Sequence, residues 1–172
     1  IQSMSRFHGE KQTKAGWLVE GKPQDGTSDY FSFEMKQFEA LRDSKLSEYL
    51  DLEDMNRFRD RVNRMSYVTN HGDYVPYNIF WQRGVIQKII DGEQQISAPA
   101  MRDLGIMIVR LLEIGRVHPE LTANVSALIR EMIQLFPIVQ EKDWEILSFF
   151  LILPLSDAKI VLVKILVQTT IL

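Results

Sequence analysis

"HGDYVPYNIFWQRGVIQKIID", residues 71–91, decides how the chain is read. It sets one His, two Asp and one Asn among apolar residues of strand type. "NIFWQ" and "VIQKII" flank Arg83-Gly84, which predicts a β hairpin closed by a tight, Gly-containing turn. An antiparallel hairpin brings its first and last residues side by side, so Asn78 and Asp91 are expected to meet at its open end. An amide oxygen and a carboxylate there form a hard-oxygen site suited to magnesium, which keeps waters and takes phosphate oxygens as further ligands. Asp73, five residues before Asn78, would then face the group to which a phosphate is transferred. A carboxylate in that position orients an acceptor hydroxyl and takes its proton.

The bulk numbers leave room for this chemistry and close off others. At 172 residues the chain is expected to form a single domain, residues 1–172, with a substantial core. Apolar residues make up 45% and charged residues 25%, as in an ordinary globular protein. A net charge of −3 offers no electrostatic reason to propose nucleic acid or an anionic membrane as partner. The sequence has no cysteine, which excludes disulfides, thiolate-ligated zinc and thiol nucleophiles, and fits a reducing, cytoplasmic location. The opening "IQSMSRFHGEKQTK" lacks the apolar core of a signal peptide. The run "ILSFFLILPL" at 146–155 falls well short of the roughly 18 to 20 apolar residues of a spanning helix. It reads as a buried helix, as does "IVLVKILV" after the break at Pro154 and Ser156.

Outward from the hairpin the pattern is mostly helical. Residues 1–9 read as the tail of a helix and 20–28, "EGKPQDGTS", as a loop. Phe31, Met35, Phe38 and Leu41 recur at helical spacing, with Ser28 or Asp29 as N-cap. Met55, Phe58, Val62 and Met65 mark a second helix whose arginines (57, 59, 61 and 64) read as a solvated face. After Asp91 comes "SAPAMRDLGIMIVRLLEIG", a nearly all-apolar helix with Pro99 in its first turn. Leu121, Val125, Leu128, Met132 and Leu135 follow as another, ending before Pro137. "GWLVEGK", residues 16–22, satisfies the spacing of a phosphate-binding loop, but Pro23 stands where the metal-binding hydroxyl belongs. It reads as a loop. His8 and His118 read as structural or exposed, and Trp17, Trp81 and Trp144 as core or half-buried packing residues.

"HGDYVPYN" followed by "IID" resembles the H-G-D-x-x-x-x-N … I-D signature of the aminoglycoside phosphotransferase and choline kinase-like families. "APAMRDLGIMIVRLL" resembles the helix that follows the family's metal-binding Asp, and "MSRFHGEKQT" the helix end before the catalytic loop in bacterial spore-coat members. The resemblance covers about residues 1–153. It implies a mainly α fold with a small β hairpin, namely the helical C-terminal lobe of a protein-kinase-like fold without its N-terminal β lobe. It also implies Asp73 as catalytic base, Asn78 and Asp91 as magnesium ligands, His71 bracing the loop, and Asp103 anchoring that loop from the buried helix. ATP would be the phosphoryl donor and a small-molecule hydroxyl the acceptor. The chain departs from the family in Gly92, where an aromatic residue is frequent, with Glu93 beside it. Because the β lobe that covers ATP is not visible, the sequence reads as a fragment of a longer kinase, inactive by itself. Two rival readings remain. One is a non-catalytic structural or interaction protein of the spore coat, partnered by coat proteins or further copies of itself; the other is an unrelated helical binding module.

Overall fold

The computed structural model describes residues 11–24, 26–41, 52–83 and 85–135. The expected helices at 1–9 and 146–172, with His8, Trp144, Pro137, Pro154 and Ser156, lie outside the described residues, as does Gly84 of the hairpin turn.

The described chain is not the mainly helical lobe that the sequence suggests. Its centre is a curled, five-stranded antiparallel sheet, with the expected hairpin standing apart from it. In chain order the strands are β1 (Lys11–Gln12), β2 (Gly16–Val19), β3 (Lys22–Pro23), β4 (Tyr67–Asn70), the hairpin strands β5 (Ile79–Gln82) and β6 (Val85–Ile89), and β7 (Ile96–Pro99). The sheet runs β1-β4-β7-β2-β3, so β7 is central, pairing Thr69 with Ser97 on one side and Trp17 with Ile96 on the other. The supposed phosphate loop "GWLVEGK" is therefore strand β2 and the turn into β3, with Leu18 opposite Pro23. Pro99 ends strand β7 opposite Tyr67 and does not open a helix. These strands are two to four residues long, too short to carry an alternating pattern, and all four residues of β7 are buried. A strand buried on both faces has no polar side to announce it.

Four helices complete the described fold: α1 (Tyr30–Leu41), α2 (Leu52–Val62), α3 (Met101–Val117) and α4 (Thr122–Leu135). None is long and apolar enough to cross a membrane. Helix α1 starts where the sequence places it, with Asp29 as the cap. Its Oδ1 accepts the backbone N–H of Ser32 at 3.1 Å and the Asn63 amide at 2.8 Å, and its Oδ2 accepts the Ser32 hydroxyl at 2.6 Å. Asn63 also accepts the N–H of Phe31, tying α1 to the end of α2. Arg59, exposed on α2, reaches back to Asp29 and lies over the Phe31 ring, 5.4 Å from its centroid. The core runs from Tyr30, Phe58, Val62 and Tyr67 through Ile96 and Ala98 to Leu104 and Ile108. On α4 the buried face is Val125, Ile129 and Met132, and Leu121 and Leu128 of the expected stripe are exposed. Trp81 is likewise exposed, at 60%, and is not a packing residue.

Burial works to raise the Asp29 pKa, but the Ser32 and Asn63 hydrogen bonds and the Arg59 charge outweigh it, so the carboxyl titrates below its ordinary 3.8. A depressed folded-state pKa stabilises the protein above the unfolded value, and that stabilisation is lost as pH falls through the lower folded value. Asp29→Ala is expected to cost about 1 kcal/mol in urea unfolding at pH 7. The difference between variant and parent should shrink below pH 4, and a gap that persists in acid would remove the cap from this role.

Candidate functional site

The chain leaves the central sheet at the end of β4 and enters the loop that begins with His71. Asn70, fully buried, ties this exit down by donating its amide to Ala98 O at 2.9 Å and Val68 O at 3.0 Å. The next two residues are gripped by the start of α3. Asp103 accepts the backbone N–H of His71 on Oδ2 at 2.8 Å and that of Gly72 on Oδ1 at 3.3 Å. Arg102 donates from Nη1 to Gly72 O at 2.9 Å. One peptide segment is thus held through its donors and its acceptor by adjacent residues of opposite charge.

Arg102 is held in turn. Its Nε lies 3.1 Å and 3.4 Å from the two Glu34 oxygens, and the Tyr30 hydroxyl donates to Glu34 Oε2 at 2.8 Å. Burial disfavours the Arg102 charge, yet Glu34 outweighs it, with Tyr30 and Asp103 adding, and the guanidinium pKa stands above its ordinary value. The Tyr30 phenol is pushed well up, by burial first and the Glu34 charge second, and stays protonated. None of Tyr30, Glu34 and Arg102 stands out by type or spacing. The available signals are an arginine and an aspartate opening an otherwise apolar helix, and a Tyr-x-x-x-Glu pair one helical turn apart.

Two features fix the loop's path. Gly72 has φ +90, and a Cβ there would lie 1.9 Å from Gln94 O, so the loop passes directly against the 3₁₀ turn at 92–94. His71 is buried, its ring edge-on to Tyr74 with centroids 5.9 Å apart. A Cβ on Gly92 would come 3.6 Å from His71 Nε2. The departure at Gly92 thus falls where the chain passes over the imidazole.

Beyond Gly72 come the predicted polar residues. Asp73 is half-buried, and Tyr74 and Val75 turn inward. Pro76 opens a single 3₁₀ turn that delivers Asn78 to a buried position. The Asn78 Nδ2 donates to Asp73 O at 3.0 Å and to Asp73 Oδ2 at 3.1 Å. The amide nitrogen is thus turned towards Asp73, and Oδ1 is the side chain's acceptor. Strand β5 follows at once, and β6 returns with Ile89 opposite Ile79 and the N–H of Ile90 on Asn78 O at 3.0 Å. A bulge near Phe80-Trp81 skips Gln87 in the register and advances the returning strand by one residue. Asn78 therefore faces Ile90, and Asp91 comes immediately after it, exposed and in the left-handed region at φ 62. Asp73 and Asn78 are in direct contact, Asp91 is at the same open end, and Asp103 and His71 lie beneath.

Among the described residues no group of three His, Cys, Asp or Glu side chains is placed to hold a metal ion. The candidate donors are one amide oxygen and one or two carboxylates, all hard oxygens. That chemistry fits magnesium completed by water and phosphate, and does not fit zinc. Comparison with known proteins adds no name to the site: no family model, curated protein or solved structure matches the chain.

Gly72→Ala is expected to destabilise the protein by at least about 2 kcal/mol, since a positive φ and a backbone clash act together. Faster amide exchange at residues 71–73 than in the parent would accompany it. A variant with parental stability and exchange would show that the loop does not press on Gln94.

Proposed function

We propose that this chain carries the catalytic loop of a phosphotransferase that moves the terminal phosphoryl group of ATP to a hydroxyl of a small molecule, with magnesium as cofactor. The observation that carries this reading is the contact between Asp73 and Asn78 at the hairpin's open end, next to Asp91. The loop's likeness to the aminoglycoside phosphotransferase and choline kinase-like signature supports it independently of the overall architecture. The buried grip of Arg102 and Asp103 supports it too, because positioning and fixed charge do most of the work in phosphoryl transfer.

In this mechanism Asp73 accepts the proton of the acceptor hydroxyl. The acceptor oxygen bonds to the γ-phosphorus, the bond from that phosphorus to the β,γ-bridging oxygen breaks, and ADP leaves with the electron pair. Asn78 holds the Asp73 carboxylate by its Nδ2 and so fixes the direction from which the proton is taken. Asn78 and Asp91 would hold magnesium, which supplies charge neutralisation on the phosphates when bound. The polypeptide's own contribution is a carboxylate that cannot swing away, on a backbone clamped from below. This reading implies a cytoplasmic location, where ATP is supplied.

A second reading has an observation of its own. The hairpin exposes Phe80, Trp81 and Val85, and the 3₁₀ turn before it exposes Tyr77, each more than half accessible. Such a cluster suits an interaction surface, and hence the non-catalytic alternative of a coat component binding other coat proteins or its own copies.

Calorimetric titration of the chain with ATP and magnesium separates the two. The phosphotransferase reading expects binding that Asp91→Ala weakens by about tenfold or more, through loss of a metal ligand. Equal binding by variant and parent removes the metal site, and concentration-dependent self-association without nucleotide binding favours the coat reading. In the complete protein, Asp73→Asn is expected to lower phosphoryl transfer by about 10²-fold or more with nucleotide affinity nearly intact. Turnover equal to the parent's would strip Asp73 of the base role.

A further inference from the structure

Helix α3 carries a second arginine on the face that grips the loop. Asp103 and Arg110 are seven residues apart, which returns to nearly the same side of an α-helix about 10 Å further along its axis. Since Asp103 is fixed beneath residues 71 and 72, the same face two turns on looks towards the continuation of that loop. Met107, the residue between them, is buried, and the turn at 76–78 packs on α3. Arg110 thus stands beside the segment that delivers Asn78, and the Asp73 charge acts on it.

The two arginines differ in how they are satisfied. Arg102 is committed to Glu34 and to Gly72 O. Arg110 has one carboxylate contact, Nη1 to Glu113 Oε2 at 2.8 Å, from the residue three further along the helix. Its Nε–H is buried without an acceptor. The Glu113 hydrogen bond raises the Arg110 pKa, burial opposes it, and the surrounding negative charges add to the rise, so the guanidinium is fully charged. A buried donor without a partner is unfavourable, a cost removed when an acceptor arrives. The guanidinium fork matches two oxygens of a phosphate.

We infer that Arg110 is the phosphate-recognising residue of the Asp73 site, its Nε–H donating to no protein oxygen because it is reserved for an oxygen of the bound phosphate. This inference rests on the phosphotransferase reading and adds to it. The carboxylate of Asp73 repels an incoming phosphate, and a cation fixed on the α3 side offsets that repulsion without touching Asp73. Glu113 holds the guanidinium from the helix side and keeps the fork's other edge free. The phosphate belongs either to the nucleotide or to a phosphorylated acceptor; the chemistry at Arg110 is the same for both.

The test is calorimetric binding of inorganic pyrophosphate without magnesium, of ATP with magnesium, and of a sugar monophosphate, to the parent and to Arg110→Gln, Arg110→Lys and Glu113→Gln. Circular dichroism and melting temperature check that each variant is folded. Arg110→Gln is expected to weaken pyrophosphate binding about tenfold or more, and Arg110→Lys, which keeps charge but loses the fork, by a smaller factor. Glu113→Gln should bind at least as tightly as the parent. A parallel loss with ATP assigns the phosphate to the nucleotide; a loss confined to the sugar phosphate assigns it to the acceptor. Parental affinity of a folded Arg110→Gln for all three ligands overturns the inference, as does absence of binding by the parent. Because pyrophosphate is tested without magnesium, a failed metal site at Asp91 and a failed anion site at Arg110 give different results.

Discussion

Two adjacent side chains of opposite charge, Arg102 and Asp103, hold the backbone of His71 and Gly72 from within the protein, and the rest of the described structure is arranged around that hold. Asp103 is 1% exposed, and the peptide donors that face it help to make its burial tolerable. Arg102 needs a counter-charge as deep as itself. Glu34 supplies it from α1, and α1 is in turn fixed by its Asp29 cap and by Asn63 of the segment after α2. The sheet takes part as well, because β4 must end where the loop begins and β7 must end where α3 begins. A change at Glu34, far from the loop in sequence, would leave a buried guanidinium uncompensated and would be felt at Gly72.

The parts of this arrangement that could be read beforehand are those with a repeating or crowded pattern. The hairpin announced itself through β-branched and aromatic runs on either side of Arg83-Gly84. Helix α1 showed its period and its cap, and α2 its split between Phe58-Val62 and the arginines. Asp73, Asn78, Asp91 and Asp103 were all picked out, and they lie along one loop, one hairpin end and the helix beneath. What was not legible was the sheet. Lys11-Gln12 and Lys22-Pro23 are too short and polar to look like strands, and "ISAP" reads as the approach to a helix because Pro99 suits either role. Only pairing with distant partners makes them strands, and that information is not local. Arg102 and Glu34 were missed for a related reason: each is an ordinary charged residue until the other is brought to it.

The site divides labour between buried and exposed groups. Beneath the loop the charges are matched and dry, which makes the backbone of residues 71 and 72 rigid. At the surface Asp73, Asp91 and the aromatic hairpin face solvent, with Asn78 as the link between the two levels. A geometry of this kind can keep its rigid base even if the surface chemistry is lost. That is why the catalytic and the interaction readings share the same core and are separated by ligand binding, not by stability.

The separate standing of the hairpin has a kinetic consequence. Strands β4 and β7 pair across the whole stretch that contains it, with Asn70 opposite Ile96. A long unstructured connection makes such pairing slow, because its closure entropy must be met before the contacts form. A hairpin is local and assembles in about 1–10 μs, ahead of any such closure. Once β5 and β6 are zipped, the floppy part of the connection is roughly halved, a saving of about 0.5 kcal/mol in closure free energy. Past the bulge, Ile90 pairs with Asn78, so the hairpin holds both ends of the excursion together. The element that displays the site's surface residues thus also acts as a clip during folding, drawing the two central strands into register before the charges beneath them are buried.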